Sequence, residues 1–123
     1  MGIVVGIDIG GSTTKIAGFN GEQMLLPVQI TDSNAIASLF GAFGKFLYDN
    51  DLELIDIDQV NLTGVGSSNI KQKIYGLPTY KVDEFSANGV GGGYFAEGKE
   101  DFMVVSMGTG TSFVRVQNRI PTH

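Results

Sequence analysis

Apolar and polar positions along this chain follow two different periods. Strand-like runs cover Met1–Ile9 and Thr14–Phe19, separated only by small residues. Asn20-Gly21 marks a hairpin turn, and residues 22–30 are predicted as a third strand that Pro27 places at an edge or a bend. At Ala35 the period changes. Ile36, Leu39, Phe40, Phe43, Phe46 and Leu47 recur at helical spacing up to Asn50, behind N-cap candidates in Thr31-Asp32-Ser33-Asn34. The phenylalanines of that stripe read as core. Gln59–Thr63 is predicted as a fourth strand and 69–75 as a short helix stopped by Gly76 and Pro78. Thr79–Val82 is a fifth strand, and 86–97 a helix that contains Gly89, Gly91, Gly92 and Gly93. Phe102–Met107 and Ser112–Gln117 form a last hairpin.

The first hairpin concentrates the chemistry. Its turn lies in Asp8-Ile9-Gly10-Gly11-Ser12-Thr13-Thr14-Lys15. Glycine lets backbone approach a ligand closely, and bare N–H groups there form an anion-binding concavity. Ser12, Thr13 and Thr14 add hydroxyls, and Lys15 adds a point charge suited to phosphate. Asp8 has the character to hold Mg²⁺ through water beside that phosphate. A Gly-rich turn with an Asp in it is also a common structural device. The stretch is not a Walker loop, because Lys15 is followed by Ile16, and strand rather than helix follows the glycines.

A second stretch, Val105-Ser106-Met107-Gly108-Thr109-Gly110-Thr111-Ser112-Phe113-Val114, echoes the first, with Ser106 at the place of Asp8. Such self-similarity argues for duplicated units; a chance likeness of two Gly/Thr turns is the competing reading. The chain is therefore expected to be one lobe over residues 1–100, with a boundary at 97–101, plus the opening hairpin of a second lobe over 101–123. Without the rest of its sheet, that hairpin is expected to expose apolar faces at Phe102, Val104, Phe113 and Val116.

Composition narrows the class. The chain has 123 residues, 42% hydrophobic and 17% charged, as ordinary globular domains do. Its net charge of −5 argues against bulk attraction to nucleic acid or an anionic membrane, so a phosphate must be held by local geometry. There is no cysteine, which excludes disulfides, thiolate metal sites and a Cys nucleophile within these residues. No run reaches transmembrane length and the N-terminus lacks a secretion signal, which reads as cytoplasmic. The acidic run Asp49, Asp51, Glu53, Asp56 and Asp58 lacks the EF-hand spacing and reads as solvated turn.

Two further stretches bear on function. Thr63-Gly64-Val65-Gly66-Ser67-Ser68 follows a strand, where ligands gather in open α/β sheets; a plain strand-to-helix loop is the competing reading. Asp83-Glu84-Phe85 directly follows another strand. Glu84 is either a charge favoured by a helix N-terminus or, beside so many glycines, a general base facing a substrate.

G-I-D-I-G-G-S-T-T-K, L-T-G-V-G, V-D-E-F-S-A-N-G and S-M-G-T-G-T-S-F-V, in this order and spacing, resemble the type II pantothenate kinases. The first motif alone is similar to the wider superfamily of actin, sugar kinases and Hsp70-like ATPases. The resemblance implies an actin-like ATPase (ribonuclease H-like) lobe of α/β class, with a mixed five-stranded sheet and flanking helices. It implies ATP and Mg²⁺ as cofactors, transfer of the γ-phosphate to the primary hydroxyl of pantothenate, the first step of coenzyme A biosynthesis, and a homodimer. Glu84 matches the activating glutamate. Asp8, Gly10, Gly11, Ser12, Thr13 and Lys15 match the Mg-ATP phosphate site, with Asp8 at the metal. Thr109 and Ser112 match hydroxyls that contact pantothenate. The family carries an arginine shortly after that hairpin; Arg119 is nearby, His123 stands closer to the matching place, and Arg115 is the other late cation. The family's next phosphate loop and adenosine pocket lie beyond residue 123, so residues 1–123 alone are expected to be inactive. Three rivals stand beside this reading: a sugar kinase of the same superfamily, a dehydratase-type activator ATPase, and a non-catalytic nucleotide-binding lobe.

Overall fold

A computed structural model of the chain describes residues 2–96, 98–107 and 111–122. It divides into two compact units, 1–81 and 82–123.

The first unit is a sheet with one long helix on one face. Its strands are β1 (Ile3–Ile9), β2 (Thr13–Asn20), β3 (Gln23–Met24), β4 (Val28–Thr31), β5 (Ile57–Thr63) and β6 (Thr79–Lys81), and its helix is α1 (Ala35–Asp49). The order across the sheet is β3-β2-β1-β5-β6, with β4 also on β2. β1 pairs antiparallel with β2 and parallel with β5, and β5 pairs parallel with β6, so the sheet is mixed. The predicted third strand is broken into two short ones, so six strands stand where five were expected. The cause is tertiary. Leu26, next to Pro27, donates its N–H to Asn50 Oδ1 at 2.8 Å and accepts from Asn50 Nδ2 at 3.0 Å. The end of α1 thus takes the place of a strand neighbour.

α1 begins where the hydroxyl-rich cluster predicts. Asn34 caps it by accepting from the N–H of Ala37 at 2.9 Å. Leu39, Ala42, Phe43 and Phe46 are buried against Ile3, Val5, Ile7 and Ile9 of β1 and Val60 and Leu62 of β5. The Phe46 ring lies directly over Gly18 of β2, where a Cβ would come within 2.5 Å of it. Thr14 is buried and shares a 2.7 Å hydrogen bond with Ser38 of α1. Its hydroxyl therefore faces the core, not the hairpin tip, and is not one of the free donors that the sequence suggests. The short helix expected at 69–75 is replaced by two single turns, Val65–Asn69 and Ile74–Gly76, the second with Tyr75 at φ 52°. The carboxylate of Asp56 accepts from the Glu53 N–H, and Lys45 pairs with Asp49 at 2.7 Å. Among the described residues no helix is long and apolar enough to cross a membrane.

The second unit is α2 (Glu84–Phe95) on a three-stranded antiparallel sheet of β7 (Phe102–Met107), β8 (Thr111–Gln117) and β9 (Ile120–Thr122), in the order β7-β8-β9. β9 has no counterpart in the sequence pattern. It returns after Asn118 and Arg119, both at positive φ. α2 starts two residues earlier than expected, because the Asp83 side chain caps it by accepting from Ser86 N at 2.8 Å. Its glycines have a packing cause. A Cβ on Gly89 would sit 2.5 Å from Pro121, and one on Gly92 would sit 2.3 Å from Val104. α2 thus lies almost on the sheet, and Val114 and Val116 are buried. The expected exposure at Val116 is therefore corrected, whereas Phe113, on the opposite face, remains 65% exposed. α2 falls in the same compact unit as this hairpin, residues 82–123.

Candidate functional site

The carboxyl end of β1 is where the first unit gathers its chemistry. Asp8 alternates with the buried Ile7 and Ile9, Lys15 with Thr14 and Ile16, and Thr63 follows Leu62. All three therefore stand on the sheet face opposite α1. Register places Asp8 opposite Lys15 across the hairpin and beside Thr63 on β5.

Asp8 and Lys15 approach to 4.0 Å, with their side chains 38% and 55% exposed. A pair so open to solvent is held by less than about 1 kcal/mol. Lys15 is thus near the carboxylate without being committed to it. At the tip, the Gly10 N–H closes the turn onto Thr13 O at 2.8 Å, and Asp32 N donates to Ser12 O at 3.0 Å. Gly11 and Ser12 are exposed and Thr13 is half-buried. A Cβ on Gly11 would meet nothing within 4 Å. The fold leaves open space above it, which suits the approach of a ligand to the backbone.

The turn at 64–68 closes on the same place. Gly64 has φ 93° and ψ 164°, a conformation reserved for glycine. A Cβ there would fall 2.4 Å from Ile9 O and 2.5 Å from Asp8 Oδ1. On Gly66 it would fall 2.4 Å from Ile9 Cγ2. Both glycines let the loop lie against the end of β1, and the loop is anchored by Ser67 Oγ, which donates to Gly64 O at 2.7 Å. The sequence left this turn between a cleft wall and a plain connection; the structure sets it against Asp8.

Asp8, an open glycine cradle and a nearby cation form a donor set that fits a hydrated Mg²⁺ beside a phosphate. Among the described residues no group of three or more acidic or histidine side chains could hold a metal alone. A cation here would take its remaining ligands from water and phosphate, as Mg²⁺ does.

In the second unit, Glu84 opens α2 and is exposed. A carboxylate in a first helical turn is favoured by the backbone dipole. Arg119 is engaged with the other end of α2. Its guanidinium donates to Gly93 O at 2.7 Å, to Ala96 O at 3.0 Å and to Lys99 O, and lies 5.6 Å from the centre of the Phe102 ring. Gly93 O is one of the carbonyls that a helix end leaves without an intrahelical partner. Thr109 and His123 lie outside the described residues; Ser112 is placed in β8 opposite Ser106, and its side chain lies outside the description.

Sequence reasoning missed two groups. Thr63 Oγ1 and Asn88 Nδ2 are buried side-chain polar atoms without a hydrogen-bond partner. Thr63 neighbours Asp8, and Asn88 is one helical turn beyond Glu84. Thr63 stands in the L-T-G-V-G motif, so its place was visible; its unpaired hydroxyl was not.

No protein-family model matches the chain. The type II pantothenate kinase of Bacillus cereus (strain G9842) is 30% identical over 128 residues, an alignment covering 93% of this chain and 40% of that protein. The chain thus spans about two fifths of the length of the curated relative it matches. Among solved structures, the activator of the 2-hydroxyisocaproyl-CoA dehydratase from Clostridium difficile, with bound ADPNP, superposes with a TM-score of 0.78 at 19% identity, over 94% of this chain and 41% of that one. A ROK family glucokinase from Streptomyces griseus, in complex with glucose and AMPPNP, gives 0.67 at 14% identity, over 98% and 46%. The chain resembles a type II pantothenate kinase over most of its length. Its fold is part of an actin-like ATPase domain, an architecture shared by ATPases and sugar kinases.

Proposed function

We propose that the protein is an ATP-dependent kinase that transfers the γ-phosphate to the primary hydroxyl of pantothenate. The observation that carries the nucleotide half of this reading is the clamped end of β1. There Asp8 and Lys15 stand beside the open Gly11 turn, with Gly64 packed against Asp8 and Ile9 and Gly66 against Ile9. The two neighbours bound to ADPNP and AMPPNP support ATP as the donor. The acceptor half rests on the likeness to the pantothenate kinase and on Glu84 at the start of α2.

Phosphoryl transfer is mostly a matter of positioning and charge neutralisation. Lys15 and the N–H groups of the hairpin tip hold the phosphates, and Asp8 anchors Mg²⁺ through water. The cation, when bound, neutralises charge that develops on the phosphate oxygens. Glu84 accepts the hydroxyl proton as the alcohol oxygen bonds to the γ-phosphorus and the bond to ADP breaks. Gly10, Ser12 and Thr13 shape the turn that presents those N–H groups. Thr109 and Ser112 hold the acceptor by hydrogen bonds. The whole protein acts as a homodimer in this reading, with pantothenate as its small-molecule partner. Residues 1–100 belong to the first lobe and 101–123 open the second.

An activator-type ATPase is the second reading, favoured by the TM-score of 0.78. The deciding experiment is a panel of pantothenate, glucose and N-acetylmannosamine with Mg·ATP and the full-length protein, followed by ADP release and product mass. Phosphopantothenate is the expected product. A phosphorylated sugar, or ADP release with no phosphorylated acceptor, overturns the assignment.

A further inference from the structure

Among the described residues of the first unit, one buried side-chain hydroxyl, beside the candidate nucleotide site, has no hydrogen-bond partner. Thr14 pairs with Ser38, Ser67 and Ser68 with Gly64 O and Val65 O, and Thr79 with Leu77 O. Thr63 Oγ1 is buried and pairs with nothing. A buried hydroxyl without a partner is a free-energy penalty that folding alone gives no reason to keep. Valine has almost the same shape, no such penalty and a better strand propensity. The fold could therefore do better here without the hydroxyl.

Its position says what the hydroxyl is for. β1 and β5 are neighbouring parallel strands, and the register sets Thr63 beside Asp8. Both side chains stand on the face opposite α1, on strands about 4.8 Å apart. Gly64 follows at once, and its backbone leaves no room for a Cβ between it and Asp8 Oδ1. Thr63 thus stands next to the carboxylate, and the loop that follows it packs against the end of β1.

We infer that Thr63 is a positioning residue of the nucleotide site, its hydroxyl serving the hydrated cation that Asp8 anchors. It donates to the Asp8 carboxylate, or exchanges a hydrogen bond with a water of the cation, once the site is loaded. The inference rests on the proposed function, since it requires a metal–nucleotide complex at Asp8.

The test uses the full-length protein, its Thr63→Val and Thr63→Ser variants, and AMPPNP titrated calorimetrically with and without Mg²⁺, alongside thermal unfolding. Thr63→Val is expected to keep or raise Tm, because it removes an unpaired group, while weakening Mg·AMPPNP about 10-fold, the worth of one hydrogen bond to a charged group. Metal-free AMPPNP should bind Thr63→Val and the wild type alike, and Thr63→Ser should match the wild type with the metal. Wild-type affinity for Mg·AMPPNP in Thr63→Val overturns the inference and leaves the kinase reading standing. A clear fall in Tm for Thr63→Val overturns it too, by giving the hydroxyl a structural role. A wild-type protein that does not bind Mg·AMPPNP sinks the kinase reading, and this inference with it.

Discussion

Replacing Gly64 by alanine tests the geometry on which the site depends. Two costs add there. At φ 93° and ψ 164° an alanine is strained by about 1–3 kcal/mol. Its Cβ would also lie 2.4 Å from Ile9 O and 2.8 Å from Ile9 C. These are backbone atoms at the end of a central strand, paired on both sides, and cannot swing away as a side chain would. Overpacking of this kind costs roughly 1–3 kcal/mol more. A total of about 2–6 kcal/mol lowers Tm by on the order of 10 °C in a domain of ordinary size. The third close atom is Asp8 Oδ1 at 2.5 Å, so whatever relaxation occurs turns the carboxylate. Affinity for Mg·AMPPNP should fall along with stability. Thermal unfolding by circular dichroism reads the first effect and calorimetric titration the second. A Gly64→Ala protein that melts within about 1 °C of the wild type would refute the reasoning, because surface-like tolerance is incompatible with a Cβ buried against backbone.

Other expectations follow from the same geometry. Gly11→Ala, where a Cβ meets nothing within 4 Å, should leave Tm unchanged yet weaken Mg·AMPPNP several-fold; equal affinity would place the phosphates elsewhere. Asp8→Asn should retain the fold, since its pair with Lys15 is solvent-exposed, and should raise the Mg²⁺ concentration needed for turnover; unfolding or unchanged metal dependence would make Asp8 structural. Glu84→Gln should lower kcat with pantothenate far more than it raises KM, the pattern of a group acting in the transition state, and wild-type turnover would remove it as the base. Arg119→Met should cost about 2–3 kcal/mol by stripping donors from the end of α2, seen as faster amide exchange over 93–96; a raised KM for pantothenate at unchanged exchange would support its reading as a substrate contact.

What was legible in the sequence was what short-range physics decides. α1 was readable because its apolar period and its cap both lie within the segment, and the first hairpin because its turn residues are adjacent. What was not legible depended on distant partners. The break at Leu26 is satisfied by Asn50, 24 residues away. The expected helix at 69–75 gave way to single turns whose chain is pinned elsewhere, with Thr79 Oγ1 accepting from Ile74 N at 3.0 Å. β9 turns on Asn118 and Arg119 at positive φ without a glycine to announce it.

The glycines of α2 show how one local signal can carry two explanations. By propensity each disfavours the helix by about 1 kcal/mol, so close approach by something was a sound expectation. The sequence could not say whether that something was a ligand or the protein. Gly89 and Gly92 are answered by Pro121 and Val104, side chains from strands of the same unit that lie far along the chain. They therefore lend Glu84 no support as a substrate-facing group. Gly91 differs: a Cβ there would meet nothing within 4 Å. With packing accounting for its neighbours, Glu84 is left with its place at the first turn of α2, its motif and the unpaired Asn88 amide four residues on. Of these only the amide is independent of the resemblance. It is a buried donor with nothing to bond, one turn beyond a carboxylate, and a helix side chain leans toward the preceding turn.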